Sequence, residues 1–324
     1  MKRRKLNQTE LDLTTVGLGT WAMGGPWQFG WGPQDDNIAV ETILKALELG
    51  INWIDTAAIY GLGHSEELIG KALKQTSDKA FIATKCGLLW NKKNEKVNCL
   101  KADSIRSECH ASLKCMNIDV IDLYQIHWPD PDEDIEQACE ELAKLRQDGK
   151  VRYIGVSNFN IEQIKRARKI TPVASLQPPY SMLRRGIENQ LLAYCAENDI
   201  GIIAYSPMQR GLLTGKFTKE RLKNLPPDDH RKKNRAFSEP YFTATLNLVE
   251  QLKPIAYRND KTLAQVAISW VLRRPEVTAA IVGARKPEQI KETHAASDWT
   301  ISKQDLEEIE KLLKQYQEMT NEKQ

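Results

Sequence analysis

The sequence lacks the features that would place it outside a cell, in a membrane or around a metal. Its six cysteines, at positions 86, 99, 109, 115, 139 and 195, include no Cys-x-x-Cys pair and no metal-ligand spacing with histidine. They read as reduced thiols, and no metal site is expected. No stretch approaches the roughly twenty apolar residues needed to cross a bilayer. The basic opening Met1-Lys2-Arg3-Arg4-Lys5 is not followed by the apolar segment of a signal peptide. A cytoplasmic protein is expected. With a net charge of only +3 and no second basic face, that opening is a solvated lead-in, and nucleic acid is not an expected partner. No GxGxxG follows any apolar run. The nearest segment, Gly61-Leu62-Gly63-His64-Ser65-Glu66, ends in a carboxylate that would repel a pyrophosphate. It reads instead as a turn into a helix, with Glu66 and Glu67 favourable in the first turn.

What the chain does have is alternation. Short apolar runs fall at 16–19, 52–55, 81–84, 121–126, 153–157, 174–177, 202–205 and 279–282, separated by segments with helical spacing. Segment 36–49 shows the helical pattern well: Ile38, Val40, Ile43, Leu44 and Leu47 share a face, and Gly50 follows where a helix would stop. Similar patterns cover 66–73, 102–116, 134–145, 161–170, 189–197, 263–272 and 288–296. Hydrophobic residues make up 41% of the chain, enough for a large core, and no linker interrupts it. Eight β/α alternations predict one α/β domain over residues 1–324, a (β/α)8 TIM barrel with a long loop after strand seven.

Three successive runs end beside Asp55, Lys85 and His127, and Tyr60 lies just beyond the first of them. The C-terminal strand ends of such a barrel carry its chemistry, so a carboxylate, an amine, an imidazole and a phenol repeated at that location point to an active site.

The segments Gly50-Ile51-Asn52-Trp53-Ile54-Asp55-Thr56-Ala57-Ala58-Ile59-Tyr60, Ile126-His127-Trp128-Pro129, Ile154-Gly155-Val156-Ser157-Asn158-Phe159, Ile203-Ala204-Tyr205-Ser206-Pro207 and Ile281-Val282-Gly283-Ala284-Arg285 resemble the aldo-keto reductase superfamily. They occur in family order over nearly the whole chain, and most resemble the bacterial general-stress or inositol-operon type. The resemblance implies reversible NADPH-dependent reduction of aldehydes or ketones, with a small carbonyl or polyol as substrate. Tyr60 would be the general acid, Lys85 the ammonium that strengthens it, Asp55 the partner that holds Lys85, and His127 the donor that orients the carbonyl. Each also has a purely structural reading, as a barrel salt bridge, a loop cover or a satisfied core histidine.

For the cofactor the resemblance implies NADP. Ser157, Asn158 and Gln177 would meet the nicotinamide carboxamide and Tyr205 would stack on its ring, with helix capping or core packing as the alternatives. Ser206, Pro207, Leu212, Thr214 and Lys216 would lie along the pyrophosphate. Arg285 precedes Lys286 and Pro287 at the opening of a helix, where backbone N–H groups favour an anion, and would read the 2′-phosphate. Gly283 and Gln289 are assigned to the cofactor too, and Glu292 to its adenine, although Thr293 stands where many members carry asparagine. Trp21 is assigned to the cofactor as well, and with Trp27, Trp31, Trp90 and Trp128 suggests an aromatic pocket. The segment 226–233, with Pro226-Pro227-Asp228-Asp229 and Arg231-Lys232-Lys233, reads equally as a disordered lid or a contact. Two other readings stay open: a barrel aldolase using Lys85 as Schiff-base amine, and a redox-sensing subunit resembling potassium-channel β subunits, which would add a protein partner.

Overall fold

The computed structural model describes residues 1–320, and every apolar run becomes a barrel strand. In chain order these are β1 (Val16–Gly19), β2 (Trp53–Asp55), β3 (Phe81–Cys86), β4 (Ile121–Ile126), β5 (Val151–Ser157), β6 (Ser175–Gln177), β7 (Gly201–Tyr205) and β8 (Val277–Gly283). All pair in parallel with their neighbours in sequence, and β8 returns to β1, closing the barrel. The fold is the (β/α)8 TIM barrel.

The helices follow the predicted spacing: α1 (Asp36–Glu48), α2 (His64–Leu73), α3 (Ala102–Met116), α4 (Ile135–Gln147), α5 (Ile161–Arg168) and α6 (Leu191–Glu197). Helix α1 starts where the Asp35 carboxylate accepts the Ile38 N–H, and it buries Ala39, Val40, Ile43, Ala46 and Leu47. The stretch after β7 is not simply a loop. It contains a short α7 (Lys219–Lys223), several 3₁₀ turns and the eighteen-residue α8 (Tyr241–Arg258) before α9 (Leu263–Leu272). Beyond β8 come α10 (Pro287–Thr293) and α11 (Lys303–Thr320), the latter packed on α8 and pinned by an Arg258–Asp305 ion pair. Among the described residues no helix is long and apolar enough to cross a membrane. The cysteines there are free.

Strand side chains alternate between the barrel interior and the helix layer. Ile54, Ile82, Tyr124, Ile154, Val156, Ile202 and Ala280 join the helices in the main core. Trp53, Ala83, Leu123, Ile203, Ala279 and Ile281 point the other way and form a second core inside the barrel. Asp55, Lys85, Ser157, Gln177 and Tyr205 share this inward parity and stand at the C-terminal ends. The opposite end is stoppered by a hairpin, Arg3–Lys5 with Asp12–Thr14, whose Leu6, Leu11 and Leu13 complete the inner core. Trp53 lies flat over Gly17, where a β-carbon would come within 2.0 Å of its ring, and donates its indole N–H to the Thr14 carbonyl. The Arg4 guanidinium donates to the carbonyls of Leu272 and Arg274, tying the stopper to the approach to β8.

Glu66 sits in the first turn of α2, as the turn-into-helix reading has it. It is buried, accepts a 2.6 Å hydrogen bond from the Thr84 hydroxyl, and burial raises its proton affinity. Glu108 on α3 is buried nearby, accepting from the Gly87 N–H and the Ser104 hydroxyl, and burial raises its pKa to about 7.

Candidate active site

Asp55 anchors the site. One carboxylate oxygen accepts from the Lys85 ammonium at 2.7 Å, the other from the Gln177 amide at 2.7 Å. Lys85 is only 2% exposed, and it also donates to the Thr56 carbonyl at 2.7 Å and the Tyr60 hydroxyl at 3.4 Å. Burial lowers its proton affinity, and the Asp55 charge works against that loss.

Tyr60 is fixed by backbone contact. Gly61 has φ +60, and a β-carbon there would lie 1.9 Å from the Gly24 carbonyl oxygen, so only glycine lets the β1–α1 loop close on the turn that carries Tyr60. The phenol lies across the Lys85 ammonium, 5.1 Å from ring centre to nitrogen. Burial first, then the Asp55 charge, hold its pKa well above 10. The His127 ring stands nearly perpendicular to Tyr60 at 5.7 Å. Burial, then the charges of Lys85 and Lys96, push its pKa well below 6.5, so it is a neutral imidazole with one N–H to give.

Next along the rim, Asn158 has a left-handed backbone, φ 64. Its amide donates to the His127 carbonyl at 3.0 Å and the Ser157 hydroxyl at 2.9 Å, and its carbonyl oxygen accepts from the Tyr205 hydroxyl at 2.9 Å. Ser157 in turn donates to the Gln177 carbonyl at 2.9 Å. The ends of β5, β6 and β7 are thus one hydrogen-bonded arc, and Ser206, φ 56, turns the chain away from it.

Above the arc opens a cavity of about 810 Å³, within the range of ligand pockets. It is lined by every residue assigned from the sequence to catalysis or to the cofactor except Lys85, which lies behind Asp55 and Tyr60, and Leu212. Leu212 is fully buried in an apolar cluster with Phe217, Leu225, Phe237 and Phe242, which keeps its side chain out of the cavity lining. Trp21, Trp27, Trp31 and Trp128 line the cavity, whereas Trp90 lies outside it on a small hairpin with Lys96–Asn98.

The 226–233 segment is packed in place. Asp229 and Arg231 form a buried 2.6 Å ion pair, Arg231 lies over Trp31 at 4.3 Å, and the His230 N–H donates to the Gly30 carbonyl at 3.1 Å. The β1–α1 and β7–α8 loops therefore meet over the cavity. Arg285 clasps the same loop from the other side. Its guanidinium donates to the Gln34 side chain at 2.7 Å, the Trp31 carbonyl at 2.9 Å and the Pro33 carbonyl, while its backbone N–H donates to Gln289 at 2.6 Å. Lys216 pairs with Glu292 at 2.5 Å; Pro207, Thr214 and Gly283 complete this wall.

Sequence reading missed Phe29, Gln34 and Lys96, and reached Arg210 and His230 only as parts of the 206–216 and 226–233 stretches; all five line the cavity. Phe29 could have been found by extending the tryptophan pattern; the others lie on loops with no repeating spacing. A nicotinamide dinucleotide suits the residues present. The cavity is large and combines a polar arc at the barrel mouth with cationic groups, Lys216, Arg285 and Lys286, along the opposite wall. No cluster of potential metal ligands occurs among the described residues.

The model of the Aldo/keto reductase family matches residues 15–314. The chain is 40% identical to aldo-keto reductase YhdN of Bacillus subtilis, covering 97% of this chain and 94% of that protein. It is 35% identical to the NADH-specific methylglyoxal reductase of Escherichia coli, with 94% and 96% covered. Among solved structures, the glycerol dehydrogenase AKR11B4 from Gluconobacter oxydans superposes with a TM-score of 0.88 at 38% identity, covering 97% of this chain and 95% of that one. With the family model spanning nearly the whole barrel, the chain belongs to the aldo/keto reductase family.

Proposed function

We propose that this oxidoreductase reduces small aldehydes or ketones to alcohols with NADPH, reversibly, using Tyr60 as the proton donor. The observation that carries this is Tyr60 and His127 side by side at the cavity floor, with Lys85 and Asp55 directly behind the phenol.

The neutral His127 donates a hydrogen bond to the carbonyl oxygen and sets its direction. Tyr60 gives its proton to that oxygen as charge develops there. A phenol with a raised pKa can still do this, because the nascent alkoxide is a stronger base than a phenolate. Lys85 stabilises the phenolate left behind, and Asp55, itself steadied by Gln177, keeps the ammonium protonated and in line. When bound, the reduced nicotinamide supplies the hydride. Ser157, Asn158 and Gln177 would hold its carboxamide, Tyr205 its ring face, the 206–216 stretch its pyrophosphate, and Arg285 with Lys286 a 2′-phosphate. Arg285 must then exchange some of its loop partners for the phosphate. A Schiff base is not supported, since the Lys85 nitrogen is buried and already engaged.

The test is the absorbance of reduced nicotinamide during turnover of a panel of aldehydes, ketones and polyols, run with NADPH and NADH. Names of relatives, a methylglyoxal reductase and a glycerol dehydrogenase, argue for small polar compounds in that panel. Turnover with NADPH at a lower KM than with NADH supports the reading; turnover confined to NADH overturns the NADP assignment, and no turnover overturns the reaction.

A further inference from the structure

The turn that opens α2 reaches Tyr60, Lys85 and Asp55 from behind, through side chains that no step of the reduction uses. Ser65 and Glu66 are both buried there. The Ser65 backbone N–H donates to the Tyr60 carbonyl at 3.2 Å. Its hydroxyl shares a 3.0 Å hydrogen bond with the Thr56 hydroxyl and donates at 2.7 Å to Thr20, whose own hydroxyl donates to the Asp55 backbone carbonyl at 3.2 Å. Thr56 is also the residue whose carbonyl accepts from the Lys85 ammonium. One serine thus braces the turn that carries the phenol and an acceptor that holds the ammonium.

Glu66 acts on β3. Its carboxylate accepts from the Thr84 hydroxyl at 2.6 Å, and Thr84 directly precedes Lys85. Strand alternation sends the Thr84 side chain into the helix layer and the Lys85 side chain into the barrel mouth, so this bond fixes the backbone from which the ammonium extends. Beyond Lys85 the Gly87 N–H is held in the same way by Glu108, at 2.9 Å.

A neutral acceptor would satisfy Thr84 at a smaller cost than a buried carboxylate. The charge has a reason in Lys85, the cation whose field bears on Glu66. The other titratable groups facing Glu66 are Glu108, Cys109 and Cys115 on α3 and Tyr124 on β4. Burial pushes the two thiols up to about 12 and about 11 and the Tyr124 phenol well above 10, so none of these groups supplies a positive charge.

We propose that Glu66 is a positioning residue and second counter-charge for Lys85, and that Ser65 and Glu66 together set the 3.4 Å spacing between the Lys85 ammonium and the Tyr60 hydroxyl, an inference that rests on the carbonyl-reduction reading above.

The experiment follows kcat for reduction of one aldehyde across pH, with the dinucleotide the protein prefers, alongside dinucleotide affinity by fluorescence titration and melting temperature as a check on folding. Reduction needs both the ammonium and the phenol protonated, so the rate falls at alkaline pH. Loss of a neighbouring anion lowers the proton affinity of both groups. Glu66→Gln, which keeps an acceptor for Thr84, should therefore move the alkaline limb toward lower pH by about one unit, the order expected of a unit charge inside a protein. Glu66→Asp keeps the charge but not the reach to Thr84, and should leave the limb in place while lowering kcat. Thr84→Val should lower kcat roughly tenfold, since small displacements of a positioned group are costly in rate, again with the limb in place. Dinucleotide affinity should stay unchanged in all three. A folded Glu66→Gln protein with an unmoved limb overturns the counter-charge, and full kcat in Thr84→Val overturns the positioning, which decides the matter alone if Glu66→Gln does not fold. Losses of kcat matched by equal losses of dinucleotide affinity also overturn it, because they would assign both residues to the barrel's fold. Absence of turnover by the unmodified protein with every carbonyl compound defeats the carbonyl-reduction reading and this inference with it, whereas turnover with an unmoved limb defeats only the inference.

Discussion

Gln177 reaches across the barrel to Asp55, and its 2.7 Å hydrogen bond occupies the carboxylate oxygen that Lys85 leaves free. The buried carboxylate is therefore held by one cation and one neutral donor: removing the cation unbalances the charge of a closed site, and removing the amide leaves a buried oxygen without a donor.

The first prediction concerns that balance. Lys85→Met should destabilise the protein by about 3–5 kcal/mol, because it leaves Asp55 buried without its cation. Asp55→Asn should also destabilise, and the double variant should lose less than the sum of the two while remaining inactive. Denaturant titrations of the four proteins measure the coupling. Simple additivity would mean that the pair is not energetically linked.

Tyr60→Phe removes only the hydroxyl. Turnover should fall by roughly 10²–10⁴-fold, the range for general acid catalysis, with dinucleotide affinity changed by no more than a few-fold. Single-turnover kinetics and fluorescence titration separate the two quantities. Retained turnover would remove Tyr60 from the mechanism.

If Arg285 reads the 2′-phosphate, it links cofactor choice to loop closure. Arg285→Ala should weaken NADPH binding by about 1.5–3 kcal/mol, the value of a hydrogen bond to a charged group, and leave NADH nearly unchanged. A loss at the low end fits a guanidinium that must first release loop carbonyls. Because the same side chain clasps Trp31, Pro33 and Gln34, the variant should also be cut faster by protease within the β1–α1 loop. Equal losses for the two dinucleotides would show that Arg285 does not read the 2′-phosphate.

Glu108 predicts a pH effect on stability. Its pKa is raised from 4.5 to about 7 by burial, so the native state binds the proton more tightly than the unfolded chain. That contribution, of the order of 3 kcal/mol, is complete below pH 4.5, declines as pH rises, and is gone above about pH 7. Glu108→Gln, which keeps an acceptor for the Gly87 N–H, should flatten the fall in melting temperature between pH 5 and pH 8 that the unmodified protein shows. Parallel melting curves for the two proteins would place the Glu108 titration elsewhere.

The barrel was legible because its signal is periodic. Strands such as 121–126 and helices such as 102–116 repeat, and a candidate site residue at the top of an inward position inherits that order, as Asp55, Lys85 and Gln177 do. Helix α8 was not read, because Pro254 and the turn-rich 226–240 stretch disguise the spacing of Phe242, Thr245, Leu248, Leu252 and Ile255. The side-chain direction of Leu212 was not legible: a place in a familiar segment does not say whether a side chain faces the cavity or the apolar cluster beneath.

The hairpin stopper and the β8–β1 seam carry a consequence for biosynthesis. The first barrel strand is made early, yet its second neighbour is Val277–Gly283, and the stopper's Arg4 is anchored to carbonyls at 272 and 274. A nascent chain therefore emerges with an unpaired edge and an uncovered apolar interior until nearly the whole polypeptide has left the ribosome. Truncation before residue 277 should yield an aggregating product rather than a smaller enzyme, and the cell must shield the growing chain for most of its synthesis.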